Sequence, residues 1–192
     1  EKKPIVLGPG AKTSHTYKVT GEGFHVDAFS LDLQGVSRAD GEGTAQEAPD
    51  FDLEADNKLE AGPFECSVKR LKKETKETEV TFNCTYTGEG LAFIDPTVLK
   101  VTITPEVKKK RTDRTPRTYA NGSRSASRKM LQSGESMKVK ARFTVEPRVA
   151  DMQFAQMVIV WGETFSESAL EAVDLGTVDF VLDEAKTAEK NE

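Results

Sequence analysis

His15 and His25 are the two side chains of this protein that exchange protons near neutral pH at their ordinary pKa. His25 stands two residues before Asp27, so a strand would place both on one face. A carboxylate beside an imidazole can orient a general base or complete a metal site. That geometry motivates one reading: a hydrolase or metal-dependent enzyme using His25, Asp27 and nearby carboxylates. No serine- or cysteine-centred elbow accompanies the pair, and His15 falls on the neighbouring predicted strand. We therefore expect no catalytic residue, and read His25 and Asp27 as a surface pair.

A second cluster is acidic. Asp50-Phe51-Asp52-Leu53-Glu54-Ala55-Asp56-Asn57 alternates oxygen donors with other residues, and calcium takes several such oxygens. The turn glycine and closing glutamate of a calcium loop are misplaced. Asp50, Asp52, Glu54 and Asp56 are the secondary metal candidates, and strand alternation accounts for them without an ion. The expectation is no metal and no cofactor.

The third cluster is basic. Lys108, Lys109, Lys110, Arg111, Arg114, Arg117, Arg124, Arg128 and Lys129 share their stretch with one acid, Asp113. The stretch carries +8 in a chain of net charge −5, which leaves −13 elsewhere. Such a segment can attract a polyanion by counterion release, and Tyr119 could stack on a base. The contacts expected are a protein or a polyanionic surface, with nucleic acid as a lesser option and a small-molecule substrate not expected. The same run fits a nuclear-import signal, which gives a further alternative, an intracellular adaptor with reduced cysteines. Two sequons, Asn83-Cys84-Thr85 and Asn121-Gly122-Ser123, matter only in a eukaryotic secretory route.

Cys66 and Cys84 are the only cysteines. They fall in two adjacent predicted strands, on the faces of Phe64 and Val68 and of Phe82 and Tyr86. Antiparallel pairing of Cys66 with Cys84 sets Phe64 opposite Tyr86 and Val68 opposite Phe82, apolar throughout. Directly opposed residues lie within disulfide reach. A bridge points to an oxidising compartment: periplasmic, secreted or lipid-anchored at a cell envelope. Glu1 is not Met, and two expectations stand for the start: a leader removed ahead of it, or a longer chain cut back to it.

The elements that position these residues are β-strands. Period-two alternation dominates, with frequent Thr, Val, Phe and Tyr. Strands are predicted over 14–20, 24–33, 64–71, 79–87, 91–94, 98–104 and 137–145. Met152 to Trp161, apolar on both faces, reads as a central strand. Ser166 to Val173 reads as the one helix, since Ser168 with Glu171 fits a capping box. Glycine-bearing turns at 21–23 and 88–90 separate hairpin strands. The fold class expected is all-β, an antiparallel immunoglobulin-like β-sandwich of about 8–9 strands with a short helix near the C-terminus. Residues 1–183 are expected to form one domain with a long basic loop at 105–133, followed by a polar disordered tail at 184–192. With 36% hydrophobic residues the chain can fill a core, and no apolar run approaches membrane-helix length. Leu131-Gln132-Ser133-Gly134-Glu135-Ser136, followed by Val139 and Phe143, resembles the start of a strand common in bacterial immunoglobulin-like domains. The likeness is confined to that stretch, and no family is assigned from it.

Overall fold

A computed structural model describes residues 4–14, 16, 28–106 and 115–181. Sixteen strands form among these residues, all paired antiparallel, and none of the residues is helical. The chain divides into two compact units, Glu1–Gln34 with Leu175–Glu192 and Gly35–Asp174.

In the first unit, β1 (Ala28–Asp32) pairs with β16 (Thr177–Val181). Phe29 lies opposite Phe180, the rings stacked at 4.9 Å, and Leu31 lies opposite Val178. The predicted strand over 24–33 is thus seen in its second half, and the tail at 184–192 lies outside the described residues.

The second unit holds three four-stranded sheets and a small ribbon. The ribbon pairs β2 (Ser37–Arg38) with β15 (Glu171–Ala172). The first sheet runs in the order β12 (Ser136–Thr144), β7 (Glu77–Tyr86), β6 (Phe64–Lys73), β5 (Lys58–Ala61). The second runs β10 (Arg117–Ala120), β9 (Lys100–Thr104), β13 (Gln156–Val160), β4 (Phe51–Asp52). The third runs β11 (Lys129–Leu131), β8 (Leu91–Ile94), β14 (Phe165–Ser168), β3 (Thr44–Ala45).

Alternation explains why these segments pair as they do. On β7, Thr78, Val80, Phe82, Cys84 and Tyr86 are all buried, and the residues between them are not. On β12, Met137, Val139, Ala141 and Phe143 are buried between exposed Ser136, Lys138, Lys140, Arg142 and Thr144. A one-residue slip would turn either apolar set outward. Aromatic rings tie the three sheets to one core. Phe82 of β7 meets Trp161, which follows β13, at 4.9 Å, and Trp161 meets Phe165 of β14 at 5.2 Å. Phe64 of β6 closes on Phe165 at 4.9 Å, and Phe51 of β4 meets Phe82 edge-on. Each buried ring contributes roughly 1.5–3 kcal/mol by burial, with about 0.5–1.5 kcal/mol more per ring pair.

Three sequence expectations change. The predicted helix over Ser166 to Val173 is absent: Phe165–Ser168 is β14, held between β8 and β3, and Glu171 pairs with Arg38 in the ribbon. A Ser–Glu spacing of three satisfies a helix start locally, but ladders on both sides of β14 satisfy more backbone groups. The predicted strand over Met152 to Trp161 shortens to β13. Residues before it form a turn in which Phe154 and Ala155 donate to the Asp151 carbonyl. β13 is central, between β9 and β4, but one face remains open: Met157 and Ile159 are buried, Gln156 is exposed and Val158 half-buried. Finally, the segment 105–133 contains two strands, β10 and β11, so the loop between them is 121–128. β10 is attached by its ladder to β9, with Tyr119 packed against the core, and β11 buries Leu131. Their few apolar residues gave no clear period.

Candidate functional site

Cys66 and Cys84 are bridged, with Cα atoms 4.0 Å apart and both residues inside the core. Phe64 stands opposite Tyr86 and Val68 opposite Phe82, the register read from the sequence. The bridge staples β6 to β7 across 18 residues, and in the entropic description contributes about 3 kcal/mol.

Tyr86 ends the same strand and organises the turn after it. Its hydroxyl donates to Glu167 Oε1 and accepts from the Gly90 amide at 2.8 Å. Burial, then the hydrogen bond to Glu167, pushes the Tyr86 pKa up to about 12. Gly90 cannot carry a side chain here, since a Cβ would lie 2.2 Å from the Ser168 carbonyl oxygen. The turn glycines were visible in the sequence; the partner, Glu167, was assigned there to a helix and so was missed. Beside this network lies a polar cavity of about 420 Å³ lined by Arg38, Asp40, Thr44, Glu167 and Glu171 among others. Its cation is engaged, because Arg38 Nε donates to Glu171 Oε2 at 2.8 Å.

The acidic cluster builds a turn. Asp52 Oδ1 accepts from the Glu54 amide at 2.9 Å, and its Oδ2 accepts from Gln156 Nε2 at 3.1 Å. Asp56 Oδ2 accepts from the Asp52 amide at 2.8 Å. Glu54 pairs with Lys73, whose ammonium also donates to the Ala155 carbonyl. The Glu54 amide, foremost among several donors, holds the Asp52 carboxyl below its ordinary pKa. Among the described residues no three of His, Cys, Asp and Glu are placed to share a metal ion. His15, His25 and Asp27 lie outside the described residues.

The basic segment is divided. Lys108, Lys109, Lys110, Arg111 and Arg114 lie outside the described residues. Arg117 opens β10, Arg124 is exposed in the loop, and Lys129 opens β11. Arg128 has structural work. Its Nη2 donates to the carbonyls of Gly41 and Glu42 at 2.8 and 2.9 Å, and its guanidinium sits 4.4 Å from the Phe93 ring centre. Sequence reasoning missed Asn121 altogether as a structural residue. Its Nδ2 donates to the carbonyls of Pro96 and Lys140 at 2.8 and 3.1 Å. Its Oδ1 accepts from the amides of Ser123 and Arg142, both at 3.0 Å. The Gly122 amide donates to the Arg142 carbonyl at 2.8 Å. Asn121 and Gly122 thereby occupy the free edge of β12, which would otherwise offer pairing groups to another chain. A glycan on this sequon would replace one hydrogen of an amide nitrogen that already makes two hydrogen bonds.

No helix among the described residues is long and apolar enough to cross a membrane. The buried disulfide is compatible with an extracellular location. No family model matches the chain, and neither a curated protein nor a solved structure matches it.

Proposed function

We propose that this chain is a non-enzymatic binding and structural module, an immunoglobulin-like β-sandwich working outside the cytoplasm and contacting an anionic partner. One observation carries the reading: the segregation of +8 over Lys108 to Lys129 in a chain that is acidic elsewhere. The bridged cysteines support an oxidising compartment, whether periplasmic, secreted or at an anchored cell surface. The carboxylates of the acidic cluster support a structural role, since Asp52, Glu54 and Asp56 serve a turn and an ion pair.

The strands within 105–133 narrow the test. Removing 108–129 would take away β10 and the Asn121 contacts, so neutralisation is the cleaner change. The full chain is compared with K108Q/K109Q/K110Q/R111Q/R114Q on immobilised heparin. The expected result is retention at low salt, release as salt rises, and weaker retention of the variant. A full chain that passes through at low salt overturns the reading.

A further inference from the structure

The outer face of the β12–β7–β6–β5 sheet has a charge arrangement of its own. Cross-strand pairs set Lys138 opposite Asn83, Asn83 opposite Ser67, and Ser67 opposite Lys58. One transverse row therefore reads Lys138, Asn83, Ser67, Lys58. The next sets Lys140 opposite Thr81, and Thr81 opposite Arg70. A bulge between Val68 and Arg70 adds Lys69, also exposed, beside that row.

Neither row contains an acid. The flanking row on one side puts Glu79 between Arg142 and Lys72, and the row on the other puts Glu60 opposite Glu65. Arg142 is held by Glu77 and Glu79, and Lys72 by Glu74. Lys58, Arg70, Lys138 and Lys140 are exposed and have no carboxylate of the described residues within ion-pair distance.

Sheet spacing fixes the scale of this patch. With strands about 4.8 Å apart and alternate residues about 6.8 Å apart, Lys138 and Lys140 are separated by roughly 7 Å at the backbone. Arg70 lies roughly 10 Å from Lys140, and Lys58 roughly 14 Å from Lys138. Ser67, Thr81 and Asn83 fill the space between the cations with hydroxyl and amide groups. A depression of about 260 Å³ opens at the Lys58 end, lined by Ser67, Asn83 and Thr85 and bounded by Glu60 and Glu65.

We infer that these two rows are a docking surface for a linear anionic polysaccharide, sulfated or carboxylated, lying across the strands. The cations meet its charged groups and the short polar side chains its hydroxyls. No aromatic or aliphatic side chain stands in either row, so the face lacks the aromatic platform on which successive bases stack and the apolar anchor that enters a bilayer. The inference deepens the anion-binding reading and rests on it, adding a contact on the sheet face. Arg124 of the basic segment is near the rows, because Asn121 and Gly122, three and two residues before it, bond β12 at Lys140 and Arg142.

The experiment measures binding of the full chain to heparin, with single-stranded DNA as the competing probe. The variant K58Q/R70Q/K138Q/K140Q changes only exposed side chains. At the strength of ordinary surface pairs, four cations together give a loss of roughly thirtyfold. The half-variants K58Q/R70Q and K138Q/K140Q, each about fivefold weaker, serve if the fourfold variant fails to fold. Unchanged affinity in the face variant, with loss on neutralising residues 108–114, overturns this inference and leaves the proposed function standing. No heparin binding by the full chain at low salt overturns both. Binding of DNA in preference to heparin, through the same four residues, overturns the assignment to polysaccharide.

Discussion

Replacing Asn121 with alanine should destabilise the larger unit well beyond the effect of an ordinary loop substitution. The side chain makes four hydrogen bonds at 2.8–3.1 Å, to the backbone of Pro96, Ser123, Lys140 and Arg142. Two of these are part-buried and two exposed. A neutral hydrogen bond contributes about 0.5–1.5 kcal/mol net, and the half-exposed setting favours the low end. Four of them give about 2 kcal/mol. For a chain of this size that is a fall of roughly 4–8 °C in melting temperature. Urea unfolding is the assay, with a lower midpoint and an unchanged slope expected. Asn121→Asp keeps the two acceptor contacts but sets a carboxylate oxygen against the Pro96 and Lys140 carbonyls, so it should destabilise at least as much as Asn121→Ala. The freed backbone of β12 should also raise concentration-dependent association. A loss below about 0.5 kcal/mol for Asn121→Ala, or an Asn121→Asp variant as stable as the wild type, would refute the reasoning that this amide is what holds the β12 edge.

Two further outcomes follow from buried groups. Tyr86→Phe leaves the Gly90 amide without its acceptor and should cost about 1–3 kcal/mol at neutral pH. The folded Tyr86 pKa, about 12, exceeds the ordinary value of 10.0, so its contribution is complete below pH 10 and is lost as pH rises from about 10 to about 12. The stability difference between wild type and Tyr86→Phe should therefore shrink across that window, and a constant difference would be the contrary result. The double variant Cys66→Ala/Cys84→Ala should lose about 3 kcal/mol in chemical unfolding, and the intact mass of the wild-type chain should rise by about two daltons only when reductant is added under denaturing conditions. Reduction at the same rate in native buffer would contradict the burial of both sulfurs.

The β6–β7 hairpin was readable in the sequence because two independent signals agreed there. The alternation of Phe64, Cys66 and Val68 against Phe82, Cys84 and Tyr86 and the pairing of the cysteines demanded the same register, and that register is observed. Ser168 and Glu171 misled because capping chemistry is local, whereas the pairing of β14 with residues 44–45 and 91–94 is distant. Arg128 shows the same limit for charge. Its position in a basic run said nothing of Gly41 and Glu42, 87 and 86 residues earlier, whose carbonyls it serves. The two cationic rows were invisible for a further reason. Lys58, Arg70, Lys138 and Lys140 belong to three strands and converge only through the registers of three ladders, one of them shifted by a bulge.

The ribbon of β1 and β16 has a mechanical consequence. Ala28 pairs with Val181 and Asp32 with Thr177, so the residues leading into the ribbon and those leaving it attach at the same end. Tension between those two flanking segments therefore pulls the strands apart in an unzipping geometry, one pair after another, rather than shearing all five pairs together. The Phe29–Phe180 stack is the second pair from that end, so its ring contact breaks early. Under stretch the ribbon lengthens the chain by opening pair by pair, whereas the Cys66–Cys84 bond fixes the span between two residues 18 apart whatever the load.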